Sequence, residues 1–213
     1  MYHRVLGWPP EGPRLRLDYR AFAYAGKFHT PDAGVVVTLD PDARPTAALD
    51  LDGPPPAPVD NAGGDRAADE WVDPDDPVVA AVACNADRTD ESVVWLRYVT
   101  VRRDRRGEGI APRLTRFVAA RAPERFETAR IAVNNPFSYH ALWKAGFADT
   151  GRETGLAERV LERPTDAAAP NDPERYRAGL RSFGDRDLSA DEVAFLAERR
   201  DGDPPKRVSI PTE

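Results

Sequence analysis

The residues whose types and spacing best suit chemistry are Arg106-Gly107-Glu108-Gly109-Ile110-Ala111. They follow a β-branched and aromatic run, Val93 to Val101, and open an apolar-periodic segment, Ile110 to Ala122, that predicts a helix. A strand that turns through glycines into a helix N-terminus presents main-chain N–H groups without partners inside the helix, an arrangement that suits a phosphate. Small residues matter there, because a Cβ would hold the backbone away from the anion. Taken alone, Gly107-x-Gly109 reads equally well as an ordinary strand-to-helix connection. Arg102, Arg103, Arg105 and Arg106 crowd the same turn and suit phosphate oxygens better than they suit a nucleic-acid patch.

The surrounding pattern supplies the elements that must position this turn. Val78 to Cys84 is a continuous apolar run, as in a strand covered on both faces, and with Val93 to Val101 it predicts an antiparallel pair joined through Asp87-Arg88-Thr89-Asp90. In the helix after the glycines, Ile110, Leu114, Phe117 and Val118 form one apolar stripe, with Arg113, Arg116 and Arg121 elsewhere on its surface. Thr128 to Val133 is the next strand. Asn135 then suits an N-cap with Pro136 at the first helical position, and Gly146 suits the left-handed residue that closes that helix. A last strand is expected over Leu156 to Glu162.

Outside that stretch the signals are weaker. Arg14 to Asp18 alternates like a short strand, Tyr19 to Phe28 fits strand or helix, and Gly34 to Leu39 reads as a strand. Asp40 to Pro77 is dominated by Asp, Pro, Gly and Ala, which predicts a long, partly mobile loop with Trp71-Val72 as its candidate anchor. Residues 164–170 read as a linker. Asp172-Pro173 starts a short helix bearing Tyr176, Leu180 and Phe183, and Ser189 to Glu192 is a capping box that starts another. This helical pair is expected to pack on the core or on a second subunit, ahead of a tail from Asp201.

Composition narrows the function classes. The 213 residues allow one domain plus an appendage. Thirty basic against 36 acidic residues, a net charge of −6, argue against a broad nucleic-acid surface, so an anion site must be local. The preference for Arg over Lys and for Asp over Glu fits a GC-rich genome or a halophilic, salt-adapted cytoplasm. Cys84, the only cysteine, excludes an internal disulfide and reads as an inert buried thiol; His3, His29 and His140 lack metal-ligand spacing, so no metal is expected. No run approaches the ~20 apolar residues of a membrane span and the N-terminus lacks a signal peptide's apolar run, so the expectation is a cytoplasmic protein without a membrane partner. A Rossmann dinucleotide site is disfavoured for want of a third glycine and parallel βαβ wiring.

Strand, glycine turn, helix, strand, Asn-Pro, helix, Gly-Phe together resemble the GCN5-related N-acetyltransferase (GNAT) superfamily. Its acyl-CoA loop, Arg or Gln, two residues, Gly, one residue, Gly or Ala, is matched by Arg106, Gly109 and Ala111; its downstream block is matched by Asn135, Ser138, Gly146 and Phe147. The resemblance covers about residues 78–163. It implies an α/β (α+β) fold, a mixed and mostly antiparallel central sheet flanked by helices, with residues 1–163 as the acyltransferase domain and 164–213 as an appendage. It further implies acetyl-CoA (coenzyme A) as co-substrate. The pyrophosphate would sit on main-chain N–H groups from Arg106 through Gly107, Glu108, Gly109 and Ile110 to Ala111. The pantetheine would pair with Val99 and Val101, and Asn135 would hold a pantetheine amide or merely cap its helix. The activity implied is N-acyltransfer directly from acetyl-CoA to an amine on a small molecule or peptide; the alternative is a non-catalytic acyl-CoA-binding regulatory or interaction module. The family's usual Tyr falls on Leu142, which donates no proton. Tyr139, one turn earlier, is the substitute candidate acid and Glu91 the candidate base, their plain readings being a packing aromatic and a solvated turn residue. Nothing in the sequence fixes the acceptor, and a homodimer stays open.

Overall fold

The computed structural model describes residues 1–30, 32–54 and 77–209. The β-branched runs form a seven-stranded sheet in the order β1-β2-β3-β4-β5-β7-β6. Its strands are β1 (Tyr2–Gly7), β2 (Gly34–Leu39), β3 (Val78–Ala86), β4 (Val93–Val101), β5 (Thr128–Val133), β6 (Ala148–Glu153) and β7 (Arg159–Pro164). All neighbours are antiparallel except β4 and β5, which α1 (Ile110–Arg121) connects as a crossover. The mixed, mostly antiparallel sheet flanked by helices is the fold class that the sequence implied.

Period-two alternation divides the apolar side chains between two faces. Val36, Val82, Val94 and Leu96 face a core shared with α1, α2 (Pro136–Lys144), α3 (Pro173–Arg181) and α4 (Ala190–Arg199). Val35, Val37, Ala81 and Ala83 face a second core closed by Leu15, Leu17, Phe22 and Phe28. With both faces covered, every residue of β2 is buried, which explains why it reads as an unbroken apolar run.

Four expectations change. Residues 14–18 form only an isolated bridge, and the covering segment after them is turns and a 3-10 turn, Ala25–His29; its buried Leu and Phe side chains hold it without regular pairing. Of the expected loop 40–77, residues 40–54 are docked, with the Arg44 carbonyl accepting from Arg102 Nη1 at 2.9 Å, and residues 55–76, including Trp71-Val72, lie outside the described residues. The last sheet segment is two strands, because β6 is a polar edge strand that carries little apolar signal. Residues 164–170 are not a free linker: Thr165 and Ala169 are buried, and their N–H groups donate to the carbonyls of Glu127 and Gly146, each at 2.9 Å.

The C-terminal helices pack on the core, where Tyr176, Leu180, Phe183 and Leu196 join the cluster with α2. Both start on expected caps, Asp172 for α3 and the Ser189–Glu192 capping box for α4. Among the described residues, no helix is long and apolar enough to cross a membrane.

Candidate functional site

β4 and β5 are held together at one end only. Their pairing stops after Val93–Thr128, Val94–Ala129 and Trp95–Arg130. That closed end is tied by Asp87, which accepts from Trp95 Nε1 at 2.5 Å and from Arg130 Nη1 at 2.9 Å. The main-chain and hydroxyl donors of Thr89 and the Trp95 indole hold the Asp87 carboxyl well below the usual carboxylate range. On the other side of β4 the register to β3 slips: Ala83 opposes Tyr98 but Cys84 opposes Leu96, so Arg97 is an inserted, bulged residue. From there β4 parts from β5, which stays paired with β7 throughout its length. The sheet therefore opens into a V with two unpaired main-chain edges, the kind of edge to which an extended amide chain adds as a strand.

The glycine turn lies at the end of β4, beside the open V. Gly107 has φ 84° and Gly109, the N-cap of α1, has φ 70°, the left-handed region that favours glycine. A Cβ at either position would meet nothing within 4 Å, so glycine is kept here by backbone conformation and leaves open space over the main chain. Among the described residues, the N–H groups of Gly107, Glu108, Gly109, Ile110 and Ala111 reach no acceptor, and Gly109 caps the helix without a side-chain bond. Pro112, inside the first turn, has no N–H to satisfy.

The four arginines separate into two pairs. Arg102 is 1 % exposed and forks onto Asp104 at 2.7 and 3.0 Å. Arg105 bridges Asp40 at 2.7 Å and Glu108 at 2.8 Å. These two fix the turn to residues 40–44 rather than facing a ligand, which corrects the reading of all four as phosphate ligands. Arg103 and Arg106 are exposed with no ion pair among the described residues. Arg113, which the sequence placed off the site, sends Nη2 back to the Glu108 carbonyl at 2.6 Å, while its Nε is buried without a partner. Its spacing, one turn into the helix from Gly109, was the available signal.

The remaining candidates do not converge. Asn135 caps α2, its Oδ1 accepting from Ser138 N at 2.8 Å, and its Nδ2 donates to Asn134 Oδ1 at 3.1 Å. Tyr139 is fully buried, and its hydroxyl donates to the carbonyls of Arg175 and Tyr176, each at 3.3 Å. Burial, then the nearby Asp149 charge, push that phenol far above its usual range. Sharing a helix face with position 142 is thus not enough, because α3 covers Tyr139. Leu142 is itself 5 % exposed. Glu91 is exposed in the turn before β4, at the closed end of the V, roughly 15–20 Å by strand rise from the bulge. Cys84 is buried, with its thiol pushed up to about 12 by desolvation, as expected of an inert cysteine. No group of three or more His, Cys, Asp or Glu among the described residues could hold a metal.

The turn and the V lie within residues 39–147, which match the acetyltransferase (GNAT) family. That span is just over half of the chain. The chain belongs to the GNAT family. Solved structures with a similar fold include nourseothricin acetyltransferase, 14 % identical over 77 % of this chain and 98 % of that one with a TM-score of 0.42. An aminoglycoside 6′-N-acetyltransferase complexed with coenzyme A is 10 % identical over 67 % of this chain and 78 % of that one, with a TM-score of 0.43. An acetyltransferase from Thermus thermophilus is 19 % identical over 41 % of this chain and 57 % of that one, with a TM-score of 0.36. No curated protein matches. Membership makes acetyl transfer from acetyl-CoA the chemistry to be read at this site. The unpartnered N–H groups, the space over Gly107 and Gly109 and the orphaned Arg113 Nε fit a pyrophosphate.

Proposed function

We propose that the chain is an N-acetyltransferase that moves an acetyl group directly from acetyl-CoA to an amine on a small molecule or peptide. The observation that carries this reading is the run of unpartnered N–H groups from Gly107 to Ala111 at the mouth of the V between β4 and β5. When bound, the cofactor supplies an activated acyl thioester. Main-chain N–H groups of residues 107–111, with the exposed Arg106, hold its pyrophosphate, helped by the partial positive charge at the start of α1. The edge of β4 at Val99 and Val101 pairs with the pantetheine amides, and Asn135 Nδ2 offers a donor from the other arm of the V. The bulge at Arg97 turns main-chain donors toward the carbonyl oxygen on which charge develops.

Proton transfer is assigned to water. Tyr139 is engaged under α3, and Glu91 stands at the wrong end of the V, so neither is given a role. Leu142 offers nothing in their place, and this favours one second reading, a domain that binds acyl-CoA without efficient transfer. Incubation with acetyl-CoA and a panel of alkyl amines, aminoglycosides and peptides, followed by free-thiol release, separates the two. Acceptor-dependent thiol release is expected; saturable acetyl-CoA binding with no turnover across the panel would sink the transferase reading.

A further inference from the structure

Lysine is scarce in this chain: of 30 basic residues only Lys27, Lys144 and Lys206 are lysines. Arginine is the commoner partner for an aromatic face and keeps its charge throughout, whereas lysine can lose its proton and act as a nucleophile. The residue at position 27 is therefore chemically distinct from what most of this surface uses.

Lys27 is presented by a firmly held turn. Its N–H donates to the Tyr24 carbonyl at 2.8 Å, and the next residue, Phe28, is buried with its carbonyl accepting from Leu15 N at 2.9 Å. Tyr24, just before the turn, adopts φ 59°, a left-handed conformation uncommon for a bulky residue and often found where a site imposes it. It brings the Tyr24 ring to 5.8 Å from the Tyr98 ring, and the Lys27 ammonium stands 5.9 Å from the centre of Tyr98. Tyr98 follows the bulged Arg97, on the part of β4 that has left β5, and its side chain packs against the core opposite α1. An exposed primary amine is thus held beside the open edge of β4, on the sheet face away from the helix whose N-terminus reads as the phosphate site.

We propose that Lys27 is an acetyl acceptor within the chain, so that the protein acetylates its own Lys27; this rests on the coenzyme reading above. The Lys27 ammonium gives one proton to water, and its nitrogen attacks the thioester carbonyl. The new C–N bond replaces the C–S bond, and the second proton leaves with the thiol, so the products are an amide, free coenzyme A and one released proton. Acetylation also removes the charge that the Tyr98 ring attracts.

The full chain is incubated with isotope-labelled acetyl-CoA, and peptides are mapped by mass spectrometry while cofactor binding is followed by calorimetry. Label is expected on Lys27 about an order of magnitude faster than on Lys144 or Lys206, because a positioned amine has a high effective concentration, and at a rate independent of protein concentration. Tyr98→Leu slows Lys27 labelling several-fold. Coenzyme A, which has no acetyl group to give, shields Lys27 but not Lys206 from an amine-directed reagent. Equal labelling of the three lysines, or unchanged reagent access with coenzyme A bound, overturns the proposal. Acetyl-CoA binding and turnover of external amines with Lys27 unlabelled overturn it alone, while absent binding overturns the coenzyme reading with it.

Discussion

Two glycines at helices show how differently the halves of this molecule are built. A Cβ at Gly109 would meet nothing within 4 Å, whereas one at Gly179 in α3 would stand 1.9 Å from Tyr139 Oη and 2.5 Å from Asp149 Oδ2. At the start of α1 the polar groups are left facing open space. Under α3 they are closed in: Asp149, 1 % exposed, accepts from Arg159 at 2.6 Å and from Gly151 N at 2.7 Å, and Tyr139 packs among Trp143, Tyr176 and Phe183. One region leaves a run of main-chain N–H groups unpartnered and suits a ligand; the other pairs its buried polar side chains among themselves, Trp143 Nε1 excepted, and suits stability. That contrast also explains why Tyr139, the nearest substitute for the absent proton donor, is a structural residue.

The sharpest test of the contrast is to add the same methyl group in both places. Gly179→Ala must displace Tyr139 or lift α3, and a loss of roughly 3 kcal/mol or more in denaturant unfolding is expected. Gly109→Ala meets no atom and costs only the left-handed backbone, about 1–2 kcal/mol. Similar losses at the two sites would break the comparison. Next in size, Arg159→Met leaves the Asp149 carboxylate buried without its cationic partner, and about 3 kcal/mol should be lost; the double variant Arg159→Met, Asp149→Leu should recover part of that.

A smaller effect concerns pH. Burial, with Lys144 and Arg199 nearby, lowers the His140 pKa to about 4, and burial with Arg113 and the N-terminus lowers His3 to about 4, from the ordinary 6.5. The His140 ring shares a 2.6 Å hydrogen bond with the Tyr176 hydroxyl. Between those values the unfolded chain binds more protons than the folded one, so stability is complete above the unfolded pKa and falls as pH drops from about 6.5 toward 4, by at most roughly 3 kcal/mol per histidine and by less for the partly exposed His3. Urea midpoints of His140→Gln should show a shallower decline over that window than those of the unaltered chain; an equal slope would remove His140 from the account.

Much of the open region was legible in the sequence because its signals are local. The β-branched run marked β4, the glycines marked left-handed positions, and Asn135-Pro136 marked the start of α2 within a residue. The closed region was less legible because its causes are distant. Tyr139 is covered by carbonyls 36 and 37 positions away, and nothing near residue 139 announces them. Arg102 looked like its three neighbours until Asp104 and the Arg44 carbonyl enclosed it. The bulge at Arg97 left no mark in the sequence, since it is defined by register against β3. Glu91 was plausible by proximity in sequence to β4, but only the pairing of β4 with β5 shows which end of the strand is open. Gly179 did carry a usable signal, a glycine inside a helix, which often marks a close approach.

Affinity for the cofactor bears on the central claim more directly than stability does. Acetyl-CoA titrations by calorimetry on the unaltered chain, Arg106→Ala, Gly109→Asn and Gly109→Phe form a graded series, since Asn tolerates the left-handed backbone and Phe both strains it and fills the space above it. Arg106→Ala, which removes one charged contact to phosphate, should weaken binding roughly tenfold. Gly109→Asn should weaken it less than Gly109→Phe, which should lose binding nearly completely in protein whose circular dichroism shows it folded. Undiminished acetyl-CoA affinity in folded Gly109→Phe would contradict the assignment of the turn at Gly107 to Ala111 as the pyrophosphate site.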